Sequence, residues 1–201
     1  LVFPPHTIGM MGGQDRPEMA LAHFHTIADA TDLPLIVFQY PGGYAYPMDT
    51  LLRLADEIPA IRAIKDWSPP MVHEKHIRTL QSLPRPVHVL RTNSAWLMAS
   101  LTMGCSGLLS GSGSVIADLQ VALFEAVRAK DLARAQRIND QIYPTAQCFY
   151  AVPGADMHNR MKEALVMLGR LPRATVRPPL AKLSDADIAG IAKAIEAAGL
   201  P

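Results

Sequence analysis

Short apolar runs alternate with segments of helical periodicity over the first 130 residues, and this alternation constrains the fold more than any other feature. The spacing between successive apolar runs, roughly 25–30 residues, is typical of βαβ units in a parallel sheet. We therefore predict an α/β fold. The predicted strands are residues 1–3, 35–40, 61–65, 87–90 and 107–109, and the predicted helices are 17–30, 48–57, 73–83, 95–103 and 115–130.

The alternation stops after residue 130. Three further helical segments follow without intervening strands, at residues 132–152, 157–168 and 184–198. The last begins at Ser184, and Asp187 three residues later makes a near match to a capping box. We predict two regions: five βα units over residues 1–130 and a C-terminal helical region over residues 131–201 that packs on them.

Five βα units fit either part of a (β/α)₈ TIM barrel or an open, doubly wound sheet. A complete barrel needs about 250 residues, so this chain would supply strands 4–8 of a barrel whose N-terminal third is absent. The apolar start at Leu1-Val2-Phe3 is consistent with a chain that begins within a fold. An open sheet would be marked by a nucleotide-binding turn, but no GxGxxG follows a strand and there is no P-loop.

Charge and cysteine usage exclude several classes of protein. The formal net charge is +1, so no electrostatic footprint indicates nucleic acid or an anionic membrane surface. No apolar run is long enough to cross a bilayer. Cys105 and Cys148 lie far apart without a CxxC spacing, which favours reduced thiols in a cytoplasmic protein.

The histidines do not predict a metal site. His73 and His76 share a helix face, whereas His23 and His25 do not. The sequence places no carboxylate or cysteine beside them to complete a ligand set, and none lies at the C-terminal end of a strand. We predict neither a structural nor a catalytic metal.

Lys65 is the strongest candidate for chemistry. Active sites of parallel α/β folds lie at the C-terminal ends of the strands, and Lys65 is the one of six lysines that ends a predicted buried strand. Loss of hydration lowers the pKa of an amine, and a neutral amine is a nucleophile for carbonyl carbon. The alternative is a lysine that merely extends its ammonium group to solvent.

Several motifs in order resemble the dihydrodipicolinate synthase / N-acetylneuraminate lyase family of class I aldolases. The resemblance covers nearly the whole chain, and it implies a TIM barrel that uses a lysine Schiff base. The motifs are Phe38-Gln39-Tyr40-Pro41-Gly42, Ile61-Arg62-Ala63-Ile64-Lys65-Asp66, Gly104-Cys105-Ser106-Gly107-Leu108-Leu109-Ser110, Arg177-Pro178-Pro179-Leu180 and Ala197-Ala198-Gly199-Leu200.

The resemblance assigns Lys65 the role of the Schiff-base lysine. The family's proton-shuttling tyrosine falls on Phe38, which has no hydroxyl group. Tyr40 lies two residues further along the same face of the strand, about 6–7 Å away. Tyr40 either supplies the missing phenol or simply packs at the rim of the barrel.

Other family positions depart from the pattern. The arginine that binds a second carboxylate in dihydrodipicolinate synthases falls on Gly43, and the glycine after strand seven falls on Thr92. The carbonyl group of Leu109 is implied to face the bound 2-oxo acid. Trp67 either walls the pocket and stacks on an aromatic or extended substrate, or packs on the barrel top. The loop from Ser110 to Ser114 either holds a carboxylate or is a turn before the next helix.

The sequence thus predicts a lyase, either an aldolase or a dehydratase, that forms a Schiff base with pyruvate or a 2-keto-3-deoxy acid, without a metal or organic cofactor. The departures at Phe38 and Gly43 argue against authentic dihydrodipicolinate synthesis. The resemblance also implies a homodimer or homotetramer. The alternative is a non-catalytic barrel that keeps the family fold and binds a metabolite or serves as an assembly subunit.

Overall fold

A computed structural model describes residues 1–40 and 42–200; Pro41 of the first motif lies outside the described residues. Four strands are present in that part of the chain: β1 (Leu35–Gln39), β2 (Ile61–Asp66), β3 (His88–Arg91) and β4 (Gly107–Leu108). The helices are α1 (His6–Met10), α2 (Pro17–Ala28), α3 (Met48–Glu57), α4 (Pro70–Leu80), α5 (Leu97–Thr102), α6 (Gly113–Arg128), α7 (Leu132–Phe149), α8 (Met157–Met167) and α9 (Asp185–Ala197).

The chain forms two compact units. The first comprises Leu1–Thr92 and Ala99–Leu109, and the second comprises Asn93–Met98 and Ser110–Pro201. The first unit therefore holds the whole sheet, and the second holds α6 to α9. The predicted division into regions 1–130 and 131–201 stays a prediction.

The first unit is built on a parallel sheet in the order β1-β2-β3-β4, which confirms the predicted α/β class. Every strand pairs in parallel with its neighbour in sequence, and a helix lies in the connection between each pair. Buried apolar side chains, including Val37, Ile64 and Val89, fill the strands. Such near-continuous apolar strands are expected where helices cover a parallel sheet.

The first predicted strand, residues 1–3, is shorter than expected. Val2 alone forms a parallel bridge to Val37: its N–H donates to the carbonyl of Ile36, and its own carbonyl accepts from the N–H of Phe38. Pro4 and Pro5 follow at once and have no N–H group to extend the ladder, so the pairing ends there.

Several helix boundaries differ from the predicted ones. Helix α2 begins at Pro17 as predicted and ends at Ala28, two residues before the predicted end. Helix α4 begins at Pro70, three residues earlier than predicted, since the fixed φ of proline suits the first turn of a helix. The predicted helix at 95–103 divides into a 3₁₀ turn (Ser94–Trp96) and α5.

The second unit is an assembly of helices in which α7 packs against α6 and α9. Its core includes Leu123 of α6, Ile142 and Phe149 of α7, and Ile191 of α9, all of them fully buried. Within residues 1–40 and 42–200, none of the helices combines the length and apolar character needed to cross a membrane.

The capping box predicted at α9 is confirmed. The Ser184 hydroxyl accepts a hydrogen bond from the backbone N–H of Asp187, and the Asp187 carboxylate accepts one from the backbone N–H of Ser184. At the other end, Gly199 takes a left-handed conformation with φ of 66°, as a residue that terminates a helix commonly does.

We predict that Ser184→Ala lowers the free energy of unfolding by about 1 kcal/mol, because a backbone N–H at the start of α9 loses its acceptor. Urea titration followed by circular dichroism measures the change. Ser184→Asp restores an N-cap acceptor and is expected to keep the parent midpoint, and an equal loss in both variants would contradict this account.

Candidate active site

Lys65 lies in β2, one residue before the strand ends, and its side chain is half-buried. The parallel register pairs it with Phe38 of β1 and Leu90 of β3. Its Nζ atom lies 4.7 Å from the centroid of the Phe38 ring. Phe38, on which the resemblance places a tyrosine, therefore provides a phenyl face against the amine.

The surroundings of Lys65 act on its charge in opposite directions. Burial lowers the pKa of the Lys65 amine, because the ammonium form loses hydration. The π face of Phe38 attracts a cation and so favours the ammonium form. Burial dominates, and a larger share of the amine is neutral than in a solvent-exposed lysine.

An aromatic cluster continues from Phe38 along the same side of the sheet. The Tyr40 ring meets the rings of Phe38, Tyr44 and Trp67 edge-on, with centroid distances of 5.1, 5.8 and 6.0 Å. The ring of Phe3 meets that of Phe38 at 4.9 Å. A cavity of about 360 Å³ opens beside this cluster, lined by Phe3, Pro4, His6, Tyr40 and Tyr44.

The loop that carries Tyr40 and Tyr44 is fixed at both ends by side-chain amides. Gln39 is buried, and its amide donates to the carbonyl of Tyr46 at 3.0 Å and accepts from the Tyr46 N–H at 2.9 Å. The amide of Gln14 donates to the carbonyl of Gly43. Gly43 therefore contributes a backbone contact to the loop.

On the opposite face of β2, Asp66 is fully buried and binds two histidines of α4. Its Oδ2 atom lies 2.8 Å from Nδ1 of His73 and 2.7 Å from Nδ1 of His76, and both rings are buried. Its Oδ1 atom accepts from the N–H of Ser68 at 2.9 Å. Neighbouring residues of a strand point to opposite faces, so Lys65 and Asp66 serve different sides of the sheet.

The statement from sequence that no carboxylate accompanies His73 and His76 was therefore wrong. The strand-to-helix connection is short enough for Asp66 to reach both rings, which lie three residues apart on the inward face of α4. In the described part of the chain, no group of three or more histidine, cysteine, aspartate and glutamate side chains is arranged to hold a metal ion.

Hydrogen bonds to the two histidines govern the charge of Asp66. Burial by itself raises the pKa of the Asp66 carboxyl, but the bonds from His73 and His76, with their charge, more than offset that effect. The pKa of Asp66 therefore lies well below its usual range, and the group is a buried carboxylate at neutral pH.

Backbone contacts join the neighbouring strand ends. The N–H of Thr92 donates to the carbonyl of Asp66 at 3.3 Å, and the N–H of Leu109 donates to the carbonyl of Arg91 at 2.8 Å. The guanidinium of Arg91 donates to the carbonyl of Ser68 at 2.7 Å. Thr92 and Leu109 thus lie at the same end of the sheet as Lys65.

Ser110 lies in the second unit, within a cluster of hydroxyl groups that the sequence did not predict. Its Oγ atom lies 3.0 Å from those of Ser94 and Ser112 and 3.3 Å from the phenol oxygen of Tyr150. Ser94 and Ser112 also bond to each other. Helix α6 begins at Gly113, two residues before the predicted start, so the segment from Ser110 to Ser114 is not a continuous loop.

Comparison with known proteins identifies the class. The family model of the Dihydrodipicolinate synthetase family matches residues 14–198, and the chain belongs to this family. A 4-hydroxy-tetrahydrodipicolinate synthase from Laribacter hongkongensis is 32% identical over 180 residues, which cover 89% of this chain and 60% of that protein. One from Neisseria meningitidis serogroup B is 28% identical over 198 residues, which cover 96% of this chain and 66% of that protein.

Solved structures of the family establish the fold. A prophage protein of the family from E. coli, solved in complex with pyruvate, superimposes with a TM-score of 0.82 at 24% identity, covering 92% of this chain and 62% of that one. Dihydrodipicolinate synthase from Thermotoga maritima superimposes with a TM-score of 0.82 at 20% identity, again covering 92% of this chain and 62% of that one. These likenesses confirm the predicted TIM-barrel class. The chain spans about three fifths of the length of these relatives.

We predict that Asp66→Asn lowers the free energy of unfolding at pH 7 by about 2–3 kcal/mol, because two buried charge-assisted hydrogen bonds weaken. Since the pKa of Asp66 is lowered on folding, its stabilising effect is complete above the unfolded-state pKa of about 3.9 and is lost as the pH falls through the folded-state value. Denaturant titrations at several pH values should show the difference between parent and variant shrinking below about pH 4.

Asp118→Asn, at an exposed position of α6, provides the matched control and is expected to leave stability nearly unchanged. A difference between parent and Asp66→Asn that stays constant into acid would contradict the charge assigned to Asp66.

Proposed function

We propose that this chain contains the reactive lysine of a lyase that forms a Schiff base with pyruvate or a 2-keto-3-deoxy acid. The observation that carries the proposal is the half-buried amine of Lys65, with its lowered pKa, at the C-terminal end of β2 in a chain of this family. Active sites of TIM barrels lie at that end of the strands.

The chemistry follows from a neutral amine beside a ketone. Lys65 attacks the ketone carbon to give a carbinolamine, which loses water to become an iminium. The iminium withdraws electrons, so a proton leaves C3 and an enamine forms. The enamine then adds to an aldehyde, as in an aldolase, or expels a leaving group, as in a dehydratase. We expect neither a metal nor an organic cofactor to take part.

We assign the transfer of protons to Tyr40, because Phe38 has no hydroxyl group. The Tyr40 ring lies against the Phe38 ring, and the residue is 39% exposed. A phenol held near a reacting group can act as a general acid or base. Thr92 and Leu109 are proposed to line the 2-oxo acid, with Trp67 at the pocket wall. The binding role of Ser110 stays a prediction from sequence.

We infer that the reaction differs from that named for the two curated relatives. Gly43 stands where the resemblance implies an arginine for a second carboxylate, and a glycine has no cationic group to offer. By the same resemblance we propose assembly into a homodimer or homotetramer. One structural relative is described as the first monomeric dihydrodipicolinate synthase variant.

We predict that borohydride reduction in the presence of pyruvate attaches the substrate carbon to Lys65, with the adduct located by peptide mass spectrometry. Lys65→Arg retains a cation but cannot form an imine, so the adduct is expected to disappear. Lys75→Arg, at an exposed position of α4, is the matched control and should keep it.

The non-catalytic alternative predicts the opposite behaviour. Pyruvate binding measured by calorimetry would then be the same in Lys65→Ala as in the parent, without an adduct or turnover. That result would overturn the proposed function.

The rate of reductive trapping is expected to rise with pH and to level off below the ordinary lysine pKa of about 10.4, because the neutral amine attacks and burial lowers its pKa. Phe38→Leu removes the π face that favours the ammonium form, so the rise should move to lower pH. Phe124→Leu removes a ring beneath Arg128 in the second unit and should leave the pH of this rise unchanged. An unchanged profile in Phe38→Leu would contradict the role given to the ring.

A further inference from the structure

We propose that the cavity beside Tyr40 and Tyr44 binds the aldehyde that reacts with the Lys65 enamine, and that it selects an aromatic aldehyde. This inference rests on the proposed function and adds the substrate class. It depends on the aromatic rings that line the cavity, on the ring contacts between the cavity wall and the side chain next to the amine, and on the lack of lysine, arginine, aspartate and glutamate among the described lining residues.

Aromatic rings make up most of the cavity wall. Phe3, Tyr40 and Tyr44 line it together with Pro4 and His6, and the His6 ring lies 5.9 Å from that of Tyr44. The volume of about 360 Å³ is within the range of small-molecule sites. Aromatic rings prefer edge-on or offset contacts with another ring, which a flat substrate ring in this cavity would satisfy.

One side chain connects the cavity to the reactive amine. The Phe38 ring contacts the rings of Phe3 and Tyr40 in the cavity wall, with centroid distances of 4.9 and 5.1 Å. The Nζ atom of Lys65 lies 4.7 Å from the centroid of the same Phe38 ring. The bridge between Val2 and Val37 places Phe3 level with Phe38. Phe3 and Tyr40 of the cavity wall and the amine of Lys65 therefore contact the same ring, which places the cavity next to the amine on one side of the sheet.

The charges of the wall disfavour an anionic aldehyde. Among the described residues that line the cavity, none is a lysine, arginine, aspartate or glutamate. Gly43, in the loop that carries Tyr44, has no side chain to bind a carboxylate. A carboxylate placed here would lose hydration without gaining a lysine or arginine partner from these residues, whereas an uncharged ring would lose little.

The wall is held in place before any ligand arrives. The Gln39 amide binds both backbone groups of Tyr46, and the Gln14 amide binds the carbonyl of Gly43. The Tyr44 ring packs so closely on α1 that a β-carbon at Gly9 would lie 2.5 Å from its Cδ1 atom. A fixed aromatic wall costs little entropy on binding, which favours selection by shape.

The step is an aldol addition. The C3 atom of the enamine, which has already lost one proton, forms a bond to the aldehyde carbon, and the aldehyde oxygen takes up a proton to become a hydroxyl group. One water then hydrolyses the iminium and restores the amine of Lys65. With benzaldehyde the product is 4-hydroxy-2-oxo-4-phenylbutanoate. No oxidant or reductant is consumed.

The test compares acceptors with pyruvate as the donor. Benzaldehyde, acetaldehyde and succinic semialdehyde are supplied separately, and kcat/KM for each is measured by chromatography of the product. We expect benzaldehyde to exceed the other two by about tenfold or more, the equivalent of one or two additional ring contacts. Equal values, or a preference for succinic semialdehyde, would overturn the inference.

Variants on both sides of the Tyr44 ring test the wall itself. Tyr44→Ala removes the ring, and Gly9→Ala displaces it from α1, so both should lower the ratio of benzaldehyde to acetaldehyde toward one. Tyr143→Ala, at a position of α7 that is 59% exposed, removes an unrelated tyrosine and should leave the ratio unchanged. Circular dichroism of each variant checks that it is folded.

A donor-only measurement separates this inference from the proposed function. Exchange of the C3 protons of pyruvate in D₂O requires the Lys65 imine and no aldehyde. Absent exchange and absent borohydride adduct mean that the proposed function fails. Exchange with no aromatic preference means that only the present inference fails. If Tyr44→Ala changes the oligomeric state in light scattering but not the acceptor ratio, the cavity is a protein interface and the inference is wrong.

Discussion

The pairing of Asp66 with His73 and His76 is the interaction on which the candidate site depends. It joins the end of β2 to the inner face of α4 through a buried carboxylate that accepts from both rings. A buried charge is tolerated only when its hydrogen bonds are satisfied. Because Lys65 precedes Asp66 directly, whatever fixes the carboxylate also fixes the height and direction of the amine on the other face.

The side-chain amides of Gln39 and Gln14 anchor the neighbouring loop, as the two histidines anchor the end of β2. Gln39, at the end of β1, holds Tyr46, and Gln14 holds Gly43. Loops that carry functional side chains are commonly anchored by the rigid elements they connect. The rings of Tyr40 and Tyr44 therefore present a preformed surface beside Phe38, whose ring contacts the amine of Lys65.

Much of the architecture could be predicted from sequence, because it follows from periodicity. The parallel sheet, the position of Lys65 at a strand end and the cap at Ser184 all rest on local patterns. The hydrogen bond between Asp66 and His73 could not be predicted in the same way. It depends on how the connection between β2 and α4 positions the helix against the end of the strand, and local patterns do not determine that position. The predicted strand at residues 1–3 was too long for a local reason: Pro4 and Pro5 have no N–H group and end the pairing after Val2.

The adjacency of Lys65 and Asp66 also bears on how the sheet assembles. A slip of β2 by one residue would exchange the faces of every side chain. The ammonium group would then be driven among the imidazoles of α4, and the carboxylate would be brought against the Phe38 ring. Both placements are electrostatically unfavourable. The opposite charges of Lys65 and Asp66 therefore disfavour a shifted register of β2 during folding.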